Sequence, residues 1–142
     1  MTTSYNSDFY GWVSEQVTLL RSRQFNDLDL ANLVEEIESM GRSEYDQLES
    51  RLTVLIGHLL KWQFQPNYRS ASWQSTIREQ RRKIDRLLKR SPSLKSKRDQ
   101  VLEEAWEDGR ELALRETGLA ESTFPEQPTY TWEEIQNPEF WP

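Results

Sequence analysis

The feature that most constrains the fold is the spacing of apolar residues between Leu30 and Pro66. Apolar side chains recur there every three or four positions, which places them on one face of an α-helix. The stripe consists of Leu30, Leu33, Val34, Ile37, Tyr45, Leu48, Leu52, Leu55, Ile56 and Leu59. Gly41 falls inside it, so the pattern allows one long helix or two helices with a break at Gly41 and Ser43 as a new N-cap. Pro66 ends the helix in both cases.

A first helix is predicted before this segment and a third helix after it. Ser7 or Asp8 caps the first helix, and Ser70 or Ser72 caps the third, because short polar side chains accept hydrogen bonds from free N–H groups. The face of the first helix expected to be buried consists of Phe9, Trp12, Val13, Gln16, Val17, Leu19 and Leu20. The corresponding face of the third helix consists of Trp73, Ile77, Gln80, Ile84, Leu87 and Leu88.

A fourth helix is predicted to begin at Pro92, since proline is favoured in a first helical turn, and to end at Gly118. The small residues Ala105, Gly109 and Ala113 lie four positions apart on its apolar stripe. They should let another helix approach closely.

The last segment, residues 118–142, carries prolines among aromatic residues. Thr131 and Glu134 are spaced as a capping box for one short helix, and the rest is expected to be extended. A disordered tail rarely carries so many aromatic rings, so the segment should wrap the bundle and cover them. The predicted fold is therefore all-α: an antiparallel bundle of four to five helices with an extended, aromatic and proline-rich C-terminal wrap.

Length and composition narrow the class of protein. A chain of 142 residues fits a single domain over 1–142. The sequence has no cysteine, which excludes disulfides, thiolate metal sites and thiol nucleophiles. The first eight residues have neither the basic nor the apolar region of a secretory signal, and the most apolar stretch, 52–62, is shorter than the roughly 20 residues of a membrane span. We therefore expect a cytoplasmic protein without a membrane role.

The charges are segregated along the chain. Residues 1–68 carry a net charge of −5, residues 69–98 carry +9, and residues 99–142 carry −10. We call residues 69–98 the basic block. Its helix could follow a phosphate backbone through Arg78, Arg81, Arg82, Arg86 and Lys89. The favoured interpretation is that the flanking carboxylates neutralise the block within the molecule.

His58 is the only histidine, and it lies at the edge of the apolar stripe. Together with Glu36 and a carboxylate of the fourth helix, Glu104 or Asp108, it could hold a metal ion or act as a base. A ferritin-like di-metal site is excluded, because that site needs two Glu-x-x-His pairs. The favoured interpretation is a histidine of the core that a carboxylate or carbonyl satisfies.

Several strings of residues are distinctive together: DFYGW at 8–12, NLVEEIESMG at 32–41, HLLKWQFQP at 58–66, SWQSTIREQR at 72–81, ETGL at 116–119 and FP at 124–125. On these strings the chain resembles a bacterial domain-of-unknown-function family, the one numbered twenty-nine, over essentially its whole length. The resemblance implies a small helical bundle and no established activity.

These observations favour a protein-interaction or structural module that binds a protein partner or associates with itself. No phosphate loop, nucleophile elbow or paired-histidine motif occurs in the sequence, and no cofactor is assigned. Two alternatives stay open: a metal-binding or acid-base enzyme that uses His58, and nucleic-acid binding through the basic third helix.

Overall fold

The computed structural model describes residues 4–142. Its α-helices in that range are α1 (Phe9–Arg21), α2 (Leu30–Phe64), α3 (Ala71–Arg90), α4 (Arg98–Thr117) and α5 (Trp132–Gln136). Short 3-10 turns lie between them at Phe25–Asp27, Pro66–Tyr68, Pro92–Lys97 and Glu121–Thr123. No strand occurs among the described residues, so the predicted all-α class and the bundle of four to five helices are confirmed.

The helix ends follow the capping signals of the sequence. The side chains of Asp8 and Ser70 accept hydrogen bonds from N–H groups in the first turns of α1 and α3. Thr131 and Glu134 form the predicted capping box at the start of α5. Gly118 ends α4 with a left-handed φ of 69°, which glycine adopts without steric cost.

Two helix boundaries could be placed only with the structure: the continuity of α2 at Gly41 and the start of α4. α2 runs without a break through Gly41, so the first of the two alternatives for this segment holds. Pro92 begins a 3-10 segment, Pro92–Lys97, and α4 itself starts only at Arg98, later than predicted.

The contacts divide the chain into two compact units, residues 1–43 and residues 44–142, and the boundary lies within α2. The N-terminal unit contains a helical hairpin of α1 and the part of α2 before residue 44. That the two units unfold together, as a single domain over 1–142, stays a prediction.

In the C-terminal unit, α3 runs antiparallel to α2. The carboxylate of Glu44 accepts hydrogen bonds from the side chains of Arg90 and Ser91, at the end of α3. Near the other end of α2, Lys61 Nζ lies 4.9 Å from the ring centroid of Trp73, at the start of α3.

α4 runs parallel to the same part of α2. The Tyr45 hydroxyl donates to Glu104 at 2.8 Å. Nearer the C-terminal ends of both helices, Lys61 Nζ donates to Glu116 at 3.0 Å. The direction therefore alternates from α2 to α3 to α4, as in an antiparallel bundle.

α2 and α4 touch through their backbones at two glycines. A Cβ atom on Gly109 would lie 2.8 Å from Ile56 Cγ2 and 3.1 Å from the carbonyl oxygen of Thr53. A Cβ on Gly57 would lie 3.2 Å from the carbonyl oxygen of Gly109. The close approach predicted at Gly109 is confirmed, and Gly57 is its partner. Around this contact the fully buried core includes Leu48, Leu52, Leu55, Ile56, Leu59, Leu60, Ile77, Ile84, Val101 and Trp106.

The C-terminal tail, residues 118–142, wraps the C-terminal unit as predicted. Trp106 Nε1 donates to the carbonyl of Pro125 at 3.0 Å. The guanidinium of Arg81 donates to the carbonyls of Ile135 and Phe140, each at 2.8 Å. The rings of the tail are buried in the case of Phe124 and Tyr130, and half-buried in the case of Trp132, Phe140 and Trp141. The tail is therefore part of the core.

Candidate functional site

His58 lies on α2, and its ring is partly buried. Its Nδ1 lies 2.8 Å from the carbonyl oxygen of Val54, one turn earlier. Because a carbonyl only accepts, Nδ1 carries the hydrogen and Nε2 is left as the acceptor. Burial lowers the pKa of His58, and the hydrogen bond to Val54 opposes this only in part. A neutral ring with a carbonyl partner fits the structural interpretation of this residue.

The carboxylates considered with His58 have other partners. Glu36 belongs to the N-terminal unit and accepts a hydrogen bond from the Tyr5 hydroxyl. Glu104 accepts from the Tyr45 hydroxyl at 2.8 Å. Within residues 4–142, no three or more histidine, aspartate or glutamate side chains are grouped so that they could hold a metal ion.

Asp108 pairs with another carboxyl group. Its side chain hydrogen-bonds with that of Glu49, and this contact raises the pKa of Glu49, with burial and the charges of Asp108 and Glu104 acting in the same direction. Two carboxyl groups in contact favour retention of a proton on one of them. The contact between these two carboxyl groups joins α2 to α4, and His58 takes no part in it.

The basic third helix is only partly exposed. Arg78, Arg82, Arg86 and Lys89 are exposed, whereas Arg81 has only 4% of its surface accessible. The prediction that Arg81 belongs to an exposed stripe is wrong, because the carbonyls of the C-terminal tail give its guanidinium acceptors in the interior. Burial lowers the pKa of Arg81 to about 10, so the group stays charged at neutral pH.

Few cations of the basic block form close ion pairs with carboxylates of the described residues. Lys83 pairs with Glu79 at 2.6 Å, and Arg90 pairs with Glu44. In the rest of the block, no other lysine or arginine forms an ion pair with a carboxylate of residues 4–142. Close ion pairs therefore cover two cations of the block, and neutralisation of the others by carboxylates within the molecule stays a prediction.

The prediction for α1 is also wrong, and its failure defines a surface. Only Trp12 and Gln16 of α1 are buried. Most of the other large apolar side chains of the stripe, with most of those at the start of α2, are between 36% and 68% exposed: Phe9, Val13, Val17, Leu20, Leu30, Val34, Ile37 and Met40. Two helices bury only the sides that face each other, and within residues 4–43 the N-terminal unit has no third α-helix to cover the rest.

Polar contacts hold the hairpin at the start of α2. Trp12 Nε1 donates to Asp29 at 2.9 Å, and the amide of Asn32 donates to the same carboxylate at 2.8 Å. The backbone N–H of Asp29 donates to the side chain of Gln16 at 2.9 Å. The hydrogen bonds from Asn32 and Trp12 lower the pKa of Asp29, which therefore stays ionised. The two apolar stripes are thus fixed side by side.

Between the stripes lies a groove of about 270 Å³, which we call the apolar groove. It is lined by Phe9, Trp12, Val13, Gln16, Val17, Leu20, Leu33, Glu36, Ile37 and Met40. Its two polar residues, Gln16 and Glu36, are engaged by Asp29 and Tyr5. The surface is suited to apolar binding and offers no paired acid and base.

Periodicity identified the stripe residues of this groove but could not show that they are uncovered. The number of predicted helices could have indicated this exposure, because the sequence predicts too few helices in residues 1–43 to bury two apolar stripes. None of the helices within residues 4–142 combines the length and apolarity needed to cross a membrane.

Comparisons with known proteins agree with the resemblance seen in the sequence. Among curated proteins and among solved structures, no match was found. One family model matches, and it covers residues 4–141, which is nearly the whole chain and includes both compact units. On that match, the chain belongs to the family described as Domain of unknown function DUF29.

Proposed function

We propose that this protein is an interaction module that pairs with a second copy of itself through the apolar groove. The observation that carries the proposal is the row of eight large apolar side chains, from Phe9 to Met40, that the N-terminal unit leaves 36–68% exposed. Apolar patches of monomeric proteins beyond a few hundred Å² usually mark binding sites.

The area of this surface suits a stable dimer. A large apolar side chain has roughly 150–200 Å² of accessible surface, so eight of them at about half exposure present on the order of 700 Å². Specific interfaces bury about 800 Å² on each partner. The hairpin therefore exposes close to what one half of an interface needs, before any contribution from its polar rim.

The shape favours a second copy as the occupant. Two antiparallel helices with adjacent apolar stripes are half of a four-helix bundle, and a second identical hairpin supplies the other half. A two-fold axis through the groove would place each stripe against its equivalent, which is the commonest symmetry of homo-oligomers.

The charge of the unit gives the association a distinctive dependence on salt. Residues 1–43 contain three basic and seven acidic residues, a net charge of −4. Two such units repel each other, and salt screens that repulsion with a Debye length of about 8 Å at physiological ionic strength. Added salt should therefore strengthen the dimer, whereas it would weaken binding of a basic partner helix.

The test is the mass of the full chain by sedimentation equilibrium over a range of concentrations and salt. Val13→Glu and Ile37→Glu, in the two walls of the groove, should each shift the protein to monomer. Tyr68→Glu is the matched control for Ile37→Glu, because Tyr68 is 68% exposed and Ile37 is 65% exposed, but Tyr68 belongs to the C-terminal unit.

A wild-type protein that stays monomeric at high micromolar concentration would refute self-association. A dimer that survives both groove variants would assign the interface to another surface. A dimer that weakens as salt is added would contradict the charge argument.

A further inference from the structure

A second groove, of about 240 Å³, lies in the C-terminal unit where α3, the turn before α4 and α5 meet. Three cations line it, Lys89, Lys95 and Arg98, together with the ring of Trp132. Its one carboxylate, that of Asp85, accepts a hydrogen bond from the Gln136 side chain at 3.1 Å. We call this the cationic groove.

The three cations form no ion pair within the described part of the chain. Lys89, Lys95 and Arg98 are exposed, and none of them forms an ion pair with a carboxylate of residues 4–142. Arg98 donates through Nε to the carbonyl of Lys95 at 3.0 Å, which leaves the rest of its guanidinium available. Three like charges in one place are unfavourable unless solvent or an anion screens them.

The positive charge continues from this groove along α3. Arg82, Arg86 and Lys89 are spaced by four and three residues, so they lie on one side of the helix at intervals of about 5–6 Å. All three are exposed, and none of them forms an ion pair with a carboxylate of residues 4–142, although the charge of Arg82 helps to lower the pKa of Glu79. Arg78, one turn earlier, is also exposed, although its guanidinium lies 5.9 Å from the ring centroid of Trp141.

We infer that the C-terminal unit binds single-stranded nucleic acid, with its phosphates along Arg82, Arg86 and Lys89 and one base in the cationic groove beside Trp132. Proteins that bind single strands combine a row of cations that follows the backbone with an aromatic side chain that stacks on a base. Both parts are present here in one continuous surface. Only a strand with unpaired bases can use both parts, because the bases of a duplex are already stacked.

The inference is independent of the proposed function, since the two surfaces belong to different units. It also changes the set of residues that the sequence suggests. Arg81 is excluded by burial, while Lys95, Arg98 and Trp132 are added by the fold. No sequence pattern places Trp132 beside the basic block, because α5 follows α3 by more than 40 residues.

The experiment measures fluorescence anisotropy of a labelled oligothymidylate of about 15 nucleotides, within the range that single-strand binding sites cover. The full-length protein is titrated at several salt concentrations. Affinity should fall linearly with salt on logarithmic axes, with a slope near −2 for three phosphate contacts at about 0.7 each. Lys89→Ala should weaken binding by about threefold to tenfold and reduce the slope by about 0.7, because it removes one of the three phosphate contacts. Lys95→Ala, in the part of the groove that holds the base, should weaken binding by about threefold to tenfold.

Lys97→Ala is the matched control, since Lys97 is an exposed lysine of the same block that does not line the groove. It should change the affinity less than twofold. Trp132→Leu should weaken binding about fivefold or more at every salt concentration without changing the slope, because stacking releases no counterions. Circular dichroism of each variant separates loss of binding from loss of folding, and Trp132→Phe, which keeps an aromatic face, should restore part of the affinity.

Several results would overturn the inference. No anisotropy change at low salt would exclude binding. An equal loss in Lys97→Ala and Lys95→Ala would reduce it to general attraction of a polyanion. A duplex of the same length that competes as well as the single strand, or a mononucleotide that binds as tightly as the oligonucleotide, would remove the role of the unpaired base or of the α3 cations.

Discussion

The contact between α2 and α4 yields the sharpest prediction about stability. Gly109→Ala adds one methyl group where the two backbones touch. The new Cβ would lie 2.8 Å from Ile56 Cγ2, 3.0 Å from Ile56 Cβ and 3.1 Å from the carbonyl oxygen of Thr53. None of these atoms is the far end of a flexible side chain, so the helices themselves must move apart.

The free energy of this change follows from two opposing effects. Forcing a methyl group into a packed core costs about 1–3 kcal/mol, and rigid neighbours place this site in the upper half of that range. Replacing glycine by alanine inside a helix recovers about 1 kcal/mol. We therefore expect Gly109→Ala to destabilise the protein by about 1–2 kcal/mol, which lowers the Tm by about 3–7 °C in a chain of this size.

Gly41→Ala is the matched control, because Gly41 also lies inside a helix but a Cβ there would meet no atom within 4 Å. Only the helix propensity acts, so this variant should gain about 0.5–1 kcal/mol. The measurement is urea unfolding followed by far-UV circular dichroism. Shifts of both variants in one common transition would also support the single domain expected from the sequence.

If Gly109→Ala is stabilised as much as Gly41→Ala, the helices do not touch at Gly109. An unchanged midpoint with a changed dependence on urea would mean that the substitution acts on the unfolded state instead.

Three further predictions concern polar groups of the C-terminal unit. Arg81→Lys should lower the free energy of unfolding by about 2 kcal/mol and speed hydrogen exchange in the C-terminal tail, because an ammonium group cannot donate to both carbonyls as the guanidinium does. The exposed neighbour variant Arg82→Lys should change neither the stability nor the exchange rate. Equal exchange rates in the two variants would contradict this prediction. Glu116→Gln should lower the free energy of unfolding by about 1–2 kcal/mol, because the Lys61 side chain, which is 4% exposed, then lacks its counter-charge. The double variant Lys61→Met with Glu116→Gln should recover most of that stability in urea unfolding. No recovery would argue against the ion pair. Because burial lowers the pKa of His58 in the folded state, the unfolded chain binds the proton more readily, so the stability that this residue contributes is full above its ordinary pKa of 6.5 and is lost as the pH falls below it. Wild type should therefore lose more stability than His58→Gln between about pH 7 and pH 5, and parallel curves would disprove it.

The positions and ends of most helices in this protein could be predicted from the sequence alone. Helical spacing located α1 to α4, and Asp8, Ser70, Gly118 and Thr131 marked helix ends that the structure reproduces. These features were predictable because a cap or a stripe depends on residues within one or two turns of each other. The close helix contact at Gly109 was also predictable, since small side chains spaced four residues apart on one helix face indicate a close approach of another helix.

Which stripes are covered and which charges are paired depends on how the helices and the tail pack. Periodicity is the same for a buried face and for an exposed one, so it predicts a buried stripe from Phe9 to Leu20 although most of that stripe is uncovered. A run of cations has the same pattern whether its members face solvent or the interior, so the pattern does not separate the buried Arg81 from its exposed neighbours. Burial and pairing depend on residues far apart in the chain, such as Arg81 and Phe140, and their meeting is fixed by how the helices and the tail pack.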